Sequence, residues 1–423
     1  MRTRSNRRRA SAVIVGAVMS ALMLSGCSFG SAAADPDVPA QVDTAFPDGT
    51  VKDLKSAVTA AMGSSGSSGA IVGVWAPWSG TWVDGLGTQK PGGGGDVKAD
   101  QVFRAGKLTR PMICDALYEA ADAGKVTLDD PVSAYVSGVP DLGSVTLLEL
   151  CDGTSGIGSY SDQLYGSWLS NPQRQWDPRY LASFGLGEPR TSPPGDAYKD
   201  SDAGYVLLGL ALERATGLSA ADVLRTYVTG PLGLAATALS DLPSSAVLRG
   251  GQSMPNAEGV LDCAEPLDLT GASSSGGFTD SGVITDIRDL GRYVQALASG
   301  SLVDDDKRFA NGLPVAADAP SWYTADGGAL LAGSLIGQFG KVPGYLTAAF
   351  ADPKTGLTVA VVLNNSAGDG HVAEYLAWQL AAIASKAPAA KGETAPEAGL
   401  PWTAEQFGEA IASLAVCTPP ASE

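Results

Sequence analysis

Strand-like runs sit near both ends of this chain, and a long helical block separates them. AIVGVWAP (70–77) and TWVDGLG (81–87), joined by a turn at Trp78-Ser79-Gly80, read as a hairpin. GQFGKVPGYLTAAFADPKTGLTVAVVLNN (337–365) reads as three more strands, with a turn at Asp352 to Gly356. Between them come apolar patterns of helical period: a helix from Pro111 to Gly124, another starting at Ser144-Val145-Thr146, GYVLLGLALERATG (204–217) with Gly217 as its stop, SAADVLRTYVTGPLGL, and an amphipathic helix within 281–300. There is no internal repeat. One sheet must therefore be completed by segments far apart in sequence. The expected class is α/β (α+β): an antiparallel sheet flanked by helices, with an inserted all-helical subdomain over about 111–280.

The first residues bear on compartment rather than fold. Arg2, Arg4, Arg7, Arg8 and Arg9 precede an apolar run from Ala10 to Leu24, which ends in Leu24-Ser25-Gly26-Cys27. That order matches a secretory signal over 1–26, and the run is shorter than the roughly 20 residues a membrane-spanning helix needs. Its end resembles the bacterial lipobox, so Cys27 is expected to carry a lipid anchor; an ordinary secretory signal with an incidental cysteine is the alternative. The chain is then exported and held at the outer face of the cytoplasmic membrane. Formal charge is −17, and loss of the signal would remove five arginines, making it more acidic. Such a balance argues against nucleic acid as a partner. With 44% hydrophobic residues, the chain can still bury a large core.

Residues 27–50 are small and polar and read as a flexible tether; 51–385 form the main domain, 386–402 a linker rich in Ala, Pro and Lys, 403–417 a closing helix and 418–423 a tail. PGGGGD (91–96) reads as a flexible loop, 159–195 as irregular, and the surroundings of Cys263 as a loop. Beyond Cys27 there are four cysteines, Cys114, Cys151, Cys263 and Cys417. In an oxidising compartment two disulfides are the default, with three possible connectivities, and four buried thiols the alternative. Their wide spacing and the single histidine argue against a metal site, and no cofactor is expected.

The order of local signatures resembles the serine β-lactamase and penicillin-binding-protein superfamily, in particular class C β-lactamase-like proteins and D-alanyl-D-alanine carboxypeptidase or esterase relatives. The segments that carry it are FRAGKLTR (103–110), AGKVTLDDPVSAYV (123–136), VTLLELCDGTSGI (145–157), PPGDAYKDSDAGYVLLGLALERATG (193–217), GPLGL (230–234), SGVITDIRDLGRY (281–293) and GQFGKVPGY (337–345). The resemblance implies a β-lactamase/transpeptidase-like fold over roughly 51–385. It also implies a Cys114–Cys151 disulfide, because in that fold the helix ending at Cys151 packs on the one carrying Cys114; this leaves Cys263 with Cys417.

That family acylates a serine in a Ser-x-x-Lys motif, aided by a Tyr-x-Asn motif and a Lys-Thr-Gly or His-x-Gly strand motif. Here Lys107 falls at the serine position and Arg110 at the lysine position. The second motif falls on Asp200-Ser201-Asp202, and the third on Gln338-Phe339-Gly340. An ammonium is no serine nucleophile, and an arginine does not give up its proton at physiological pH. No family motif is intact. Two cations and two aspartates have arrived together, which predicts a salt-bridge cluster with Asp200 bridging Lys107 and Arg110 and Asp202 close by; an isolated charge in a partly desolvated cleft is costly.

Two look-alikes are set aside. Lys354-Thr355-Gly356 spells the third motif but follows Asp352-Pro353 as a hairpin turn. His371, in a loop before what reads as a surface helix, is expected to be structural. The leading expectation is a non-catalytic, surface-anchored protein that binds cell-wall peptide or another envelope protein. The alternatives are a hydrolase of the family class (carboxypeptidase, esterase or β-lactamase) acting by an altered route, with Lys107 as an amine nucleophile, and a structural scaffold.

Overall fold

A computed structural model describes residues 38–139, 142–305, 307–397 and 399–417. The signal segment, Cys27 and the tail 418–423 lie outside the described residues. Fourteen strands are present among the described residues: β1 Gly69–Ala76, β2 Gly80–Lys90, β3 Gly93–Asp96, β4 Phe103–Arg104, β5 Ala238–Leu239, β6 Gly251–Pro255, β7 Leu261–Asp268, β8 Val283–Thr285, β9 Leu313–Pro314, β10 Tyr323–Asp326, β11 Ala329–Ala332, β12 Leu335–Val342, β13 Tyr345–Ala351 and β14 Thr358–Leu363. The helices are α1 Asp48–Ser65, α2 Thr109–Asp122, α3 Leu147–Cys151, α4 Ser161–Ser170, α5 Pro178–Gly187, α6 Asp202–Thr216, α7 Ala220–Leu224, α8 Phe278–Ser281, α9 Ile287–Ser299, α10 His371–Ala384 and α11 Ala404–Ser413.

Nine strands form the main antiparallel sheet, in the order β3-β2-β1-β14-β13-β12-β11-β10-β9. The N-terminal hairpin meets the C-terminal strands where β1 pairs with β14, from Ala70↔Leu363 to Trp75↔Thr358. Side chains of β14 alternate between two cores, as the pleat requires. Val359, Val361 and Leu363 face the layer of α1 and α10; Ala360 and Val362 face the other side, where α9 and the inserted helices pack. Both faces of β13 and β14 are covered, which explains why their sequences are almost continuously apolar.

Helix ends follow local chemistry. The Ser201 hydroxyl accepts from Gly204 N at the start of α6, and Gly217 ends it in the left-handed region at φ 74°. Thr146 and Glu149 form a reciprocal capping box at α3. Asp352 accepts from the N–H groups of Lys354 and Thr355, so Lys354-Thr355-Gly356 is a turn, as expected.

Several expectations need correcting. The tether is docked from residue 38 onward: Val42 N donates to Pro77 O, Thr81 N to Thr44 O, and Phe46 is buried. PGGGGD contributes β3, because positive φ at its glycines lets the chain turn back onto β2. Segment 159–195 holds α4 and α5, the latter started by an Asp177 cap and Pro178. The insertion is not all helical, since β6 and β7 form a separate two-stranded hairpin with Cys263 in its second strand. Beyond Ser253 that hairpin is mostly exposed, so no buried face imposed an alternating pattern there. Helix α10 is a buried layer, with Leu376, Trp378 and Leu380 in the core. The stretch 386–402 is strapped down: Trp78 Nε1 donates to Ala387 O and Trp402 Nε1 to Trp378 O. Disulfides join Cys114 to Cys151 and Cys263 to Cys417. Among the described residues no helix is long and apolar enough to cross a membrane.

Candidate functional site

Gly106, at φ 61°, opens the single turn that leads into α2 and sets Lys107 at the floor of a cleft between sheet and inserted helices. Arg110 follows one turn later. Lys107 Nζ donates to Asp200 Oδ2 at 2.6 Å, and Arg110 Nη2 donates to Asp200 Oδ1 at 2.9 Å. A second carboxylate completes the cluster, because Arg110 Nε donates to Asp280 Oδ1 at 2.7 Å. The guanidinium also lies 4.7 Å from the Tyr205 ring centroid.

Arg110 is 1% exposed and Asp200 48% exposed, so the cluster runs from the core to the cleft surface. Burial opposes ionisation of Asp200, but Arg110 and Lys107 outweigh it and hold the carboxyl well below the usual carboxylate range. Burial likewise works against the charge on Arg110; Asp200 and Asp280 more than offset it.

Asp202, expected close by, lines the same cleft but makes no ion pair with either cation among the described residues. Its carboxylate accepts from Tyr160 N at 2.6 Å and Ser161 N at 2.9 Å, capping the start of α4. The second anion on Arg110 is Asp280, brought in by α8 from about 80 residues further along the chain. Nothing local in SSGGFTDSG signals this.

Gln338 and Gly340 lie on β12, the strand beside Lys107. Gln338 is buried; its amide donates to Gly328 O and its oxygen accepts from Phe339 N, so it serves the strand edge. A Cβ at Gly340 would stand 2.8 Å from the Cβ, Cγ and backbone nitrogen of Lys107. Gly340→Ala is thus expected to cost about 1–3 kcal/mol through forced displacement, measured by urea denaturation. A neutral outcome would show that β12 and the Lys107 turn can move apart.

The cleft encloses about 670 Å³. Tyr165, Trp168, Trp176, Phe339, Lys341 and His371 are among the residues that line it. His371 is therefore on the cleft wall, with Nδ1 2.7 Å from the Asp369 carboxylate. Behind it Glu374 is fully buried: one oxygen accepts from the Tyr323 hydroxyl, and the other has no hydrogen-bond partner. Burial, and less so Asp369, pushes the Glu374 carboxyl up to about 8 from an ordinary 4.5, against the Tyr323 hydrogen bond.

The folded state therefore holds this proton more tightly than the unfolded chain does. The associated stability is full below about pH 4.5 and is lost as pH rises through about 8. Glu374→Gln should remove a decline of up to about 1.4 kcal/mol per pH unit, seen as a flatter stability curve between about pH 5 and 8. No group of residues able to hold a metal ion occurs among the described residues.

Chemically, the cluster neutralises itself. Lys107 is held in an ion pair, Arg110 cannot act as a base, and Asp200 occupies the space between them.

Residues 54–382 match the family model described as Beta-lactamase. A penicillin-binding protein of Bacillus subtilis is 28% identical over 140 residues, covering 33% of this chain and 30% of the relative. The D-alanyl-D-alanine-carboxypeptidase/endopeptidase AmpH of Escherichia coli is 26% identical over 223 residues, covering 50% and 53%. The chain thus spans less than a third of the first relative's length and about half of the second's. Among solved structures, a D-stereospecific amidohydrolase from Streptomyces sp. superposes with a TM-score of 0.66 at 22% identity, over 78% of this chain and 99% of that one. The fold and the matched span together place this chain in the beta-lactamase family.

Proposed function

We propose that the protein is a surface-anchored, non-catalytic member of this family that binds cell-wall peptide or another envelope protein in its cleft. The observation that carries the reading is Asp200 bridging Lys107 and Arg110 at 2.6 and 2.9 Å, where the family places its nucleophile and base. An attacking amine needs a free lone pair, and the Lys107 nitrogen is engaged with a carboxylate. The cleft itself is retained. Its volume falls in the range of small-molecule and short-peptide pockets, and its walls combine rings with a few polar groups. This favours binding over a purely structural scaffold. The names of the relatives, a penicillin-binding protein and a D-alanyl-D-alanine carboxypeptidase, make cell-wall peptide the first ligand class to test.

Anchoring rests on the arginine-rich start, the apolar run and Cys27. Palmitate incorporation that is lost on Cys27→Ala supports it; unchanged incorporation removes it. The binding reading is tested by equilibrium dialysis with a soluble cell-wall pentapeptide. Saturable binding with the peptide recovered intact is expected. Absence of binding would favour the scaffold role, and recovery of cleaved peptide would favour a hydrolase.

A further inference from the structure

Where α10 meets the cleft, three titratable side chains stand in a row from solvent to core. Asp369 and His371 are about half exposed, whereas Glu374, one turn further on, is completely buried. Asp369 Oδ1 lies 2.7 Å from His371 Nδ1, and His371 Nε2 lies 4.0 Å from Glu374 Oε2. Asp369, His371 and Tyr323 all line the cleft. The other groups that face this row are the Tyr323 hydroxyl on β10, Tyr375 on α10 itself, Tyr198 in the segment before α6, and Lys341 on β12, whose charge acts on Asp369. Among the described residues Glu374 Oε2 is left without a hydrogen-bond partner.

Donor counting decides where the protons sit. An ionised carboxylate only accepts, so Asp369 fixes the single N–H of a neutral ring on Nδ1 and leaves Nε2 a bare acceptor. Glu374 Oε1 already accepts from Tyr323, so a proton on Glu374 belongs on Oε2. A buried O–H donor and a ring lone pair thus face each other across 4.0 Å. That is too long for a hydrogen bond, and a small turn of the half-exposed ring closes it. A buried carboxyl oxygen with no partner is costly to keep. Here the group within reach of it belongs to the cleft surface.

We infer that Glu374 and His371 hold one proton between them, and that an anionic group of a bound peptide draws it outward onto the ring. In that step the Glu374 Oε2–H bond breaks and a His371 Nε2–H bond forms. An imidazolium then faces the ligand, with the new carboxylate behind it. No proton is taken from solvent, and His371 becomes a recognition residue for peptide carboxylates. The coupling rests on the cleft binding peptide and names the wall group that meets it; the shared proton stands on the free protein alone.

The chain has a single histidine, so ring-nitrogen NMR of the nitrogen-labelled mature protein, prepared without a histidine tag, reads His371 alone. At neutral pH the neutral ring should show the Nδ1–H tautomer. As pH rises through about 8 Glu374 loses its proton, two carboxylates compete for one ring N–H, and Nε2 should gain N–H character. Glu374→Gln cannot ionise and should abolish that step. Adding the cell-wall pentapeptide at neutral pH should move both ring nitrogens toward the imidazolium. A counterpart with every carboxylate amidated should not do so, nor should the pentapeptide with Glu374→Gln. An Nε2–H tautomer in the free protein, or a step near pH 8 that persists in Glu374→Gln, overturns the shared proton. Pentapeptide that binds without changing the ring, or changes it equally in Glu374→Gln, overturns the coupling. Absence of pentapeptide binding in dialysis defeats the reading of the cleft and the coupling with it, and the free-protein titration still decides the shared proton.

Discussion

Arg110→Met is expected to cost about 3–5 kcal/mol, the scale seen when one member of a buried ion pair is removed. Asp280, almost fully buried, would lose the 2.7 Å contact to the guanidinium, and Asp200 would keep Lys107 alone. The energetic sign depends on isolation of charge rather than on loss of attraction. The double variant Arg110→Met, Asp280→Asn should therefore recover most of the loss, because Lys107 and Asp200 stay paired and no unpaired charge remains. Urea denaturation of the two variants measures both numbers. A single-variant cost below about 1 kcal/mol, the range of an exposed ion pair, would mean that the cluster is surface decoration.

Removing the Cys263–Cys417 disulfide, as Cys263→Ser with Cys417→Ser, is the second large effect. The bridge closes a loop of 154 residues, for which the chain-entropy estimate is about 5 kcal/mol. It also joins the exposed second strand of the β6–β7 hairpin to the segment after α11. Hydrogen exchange should report lost protection in both regions before the nine-stranded sheet is affected. Unchanged protection at Phe407 and Ile411, which bury α11 against the body, would show that the bridge contributes nothing to holding the closing helix.

The parts of this fold that could be read from sequence are those whose pattern is imposed by burial. The strands β1, β13 and β14 are covered on both faces, and their apolar runs say so. The β6–β7 hairpin, with Glu258, Asp262 and Glu265 exposed, carries no such imprint. The same distinction holds at the site. Lys107, Arg110 and Asp200 were legible because each sits inside a local motif with recognisable flanks. Asp280 was not, since its role exists only once α8 has packed beside α2. Asp202 shows the converse: its motif position was clear, but a neighbouring helix start offered two N–H donors, and the carboxylate turned to them.

The place of the family's nucleophile is, in the reading proposed above, filled by a self-neutralised ion cluster. Incubation with a fluorescent penicillin, followed by intact-protein mass spectrometry, tests it most directly. An unmodified mass is expected under conditions that label a serine-dependent family member. A single penicilloyl adduct that maps to Lys107 and disappears in Lys107→Ala would contradict it.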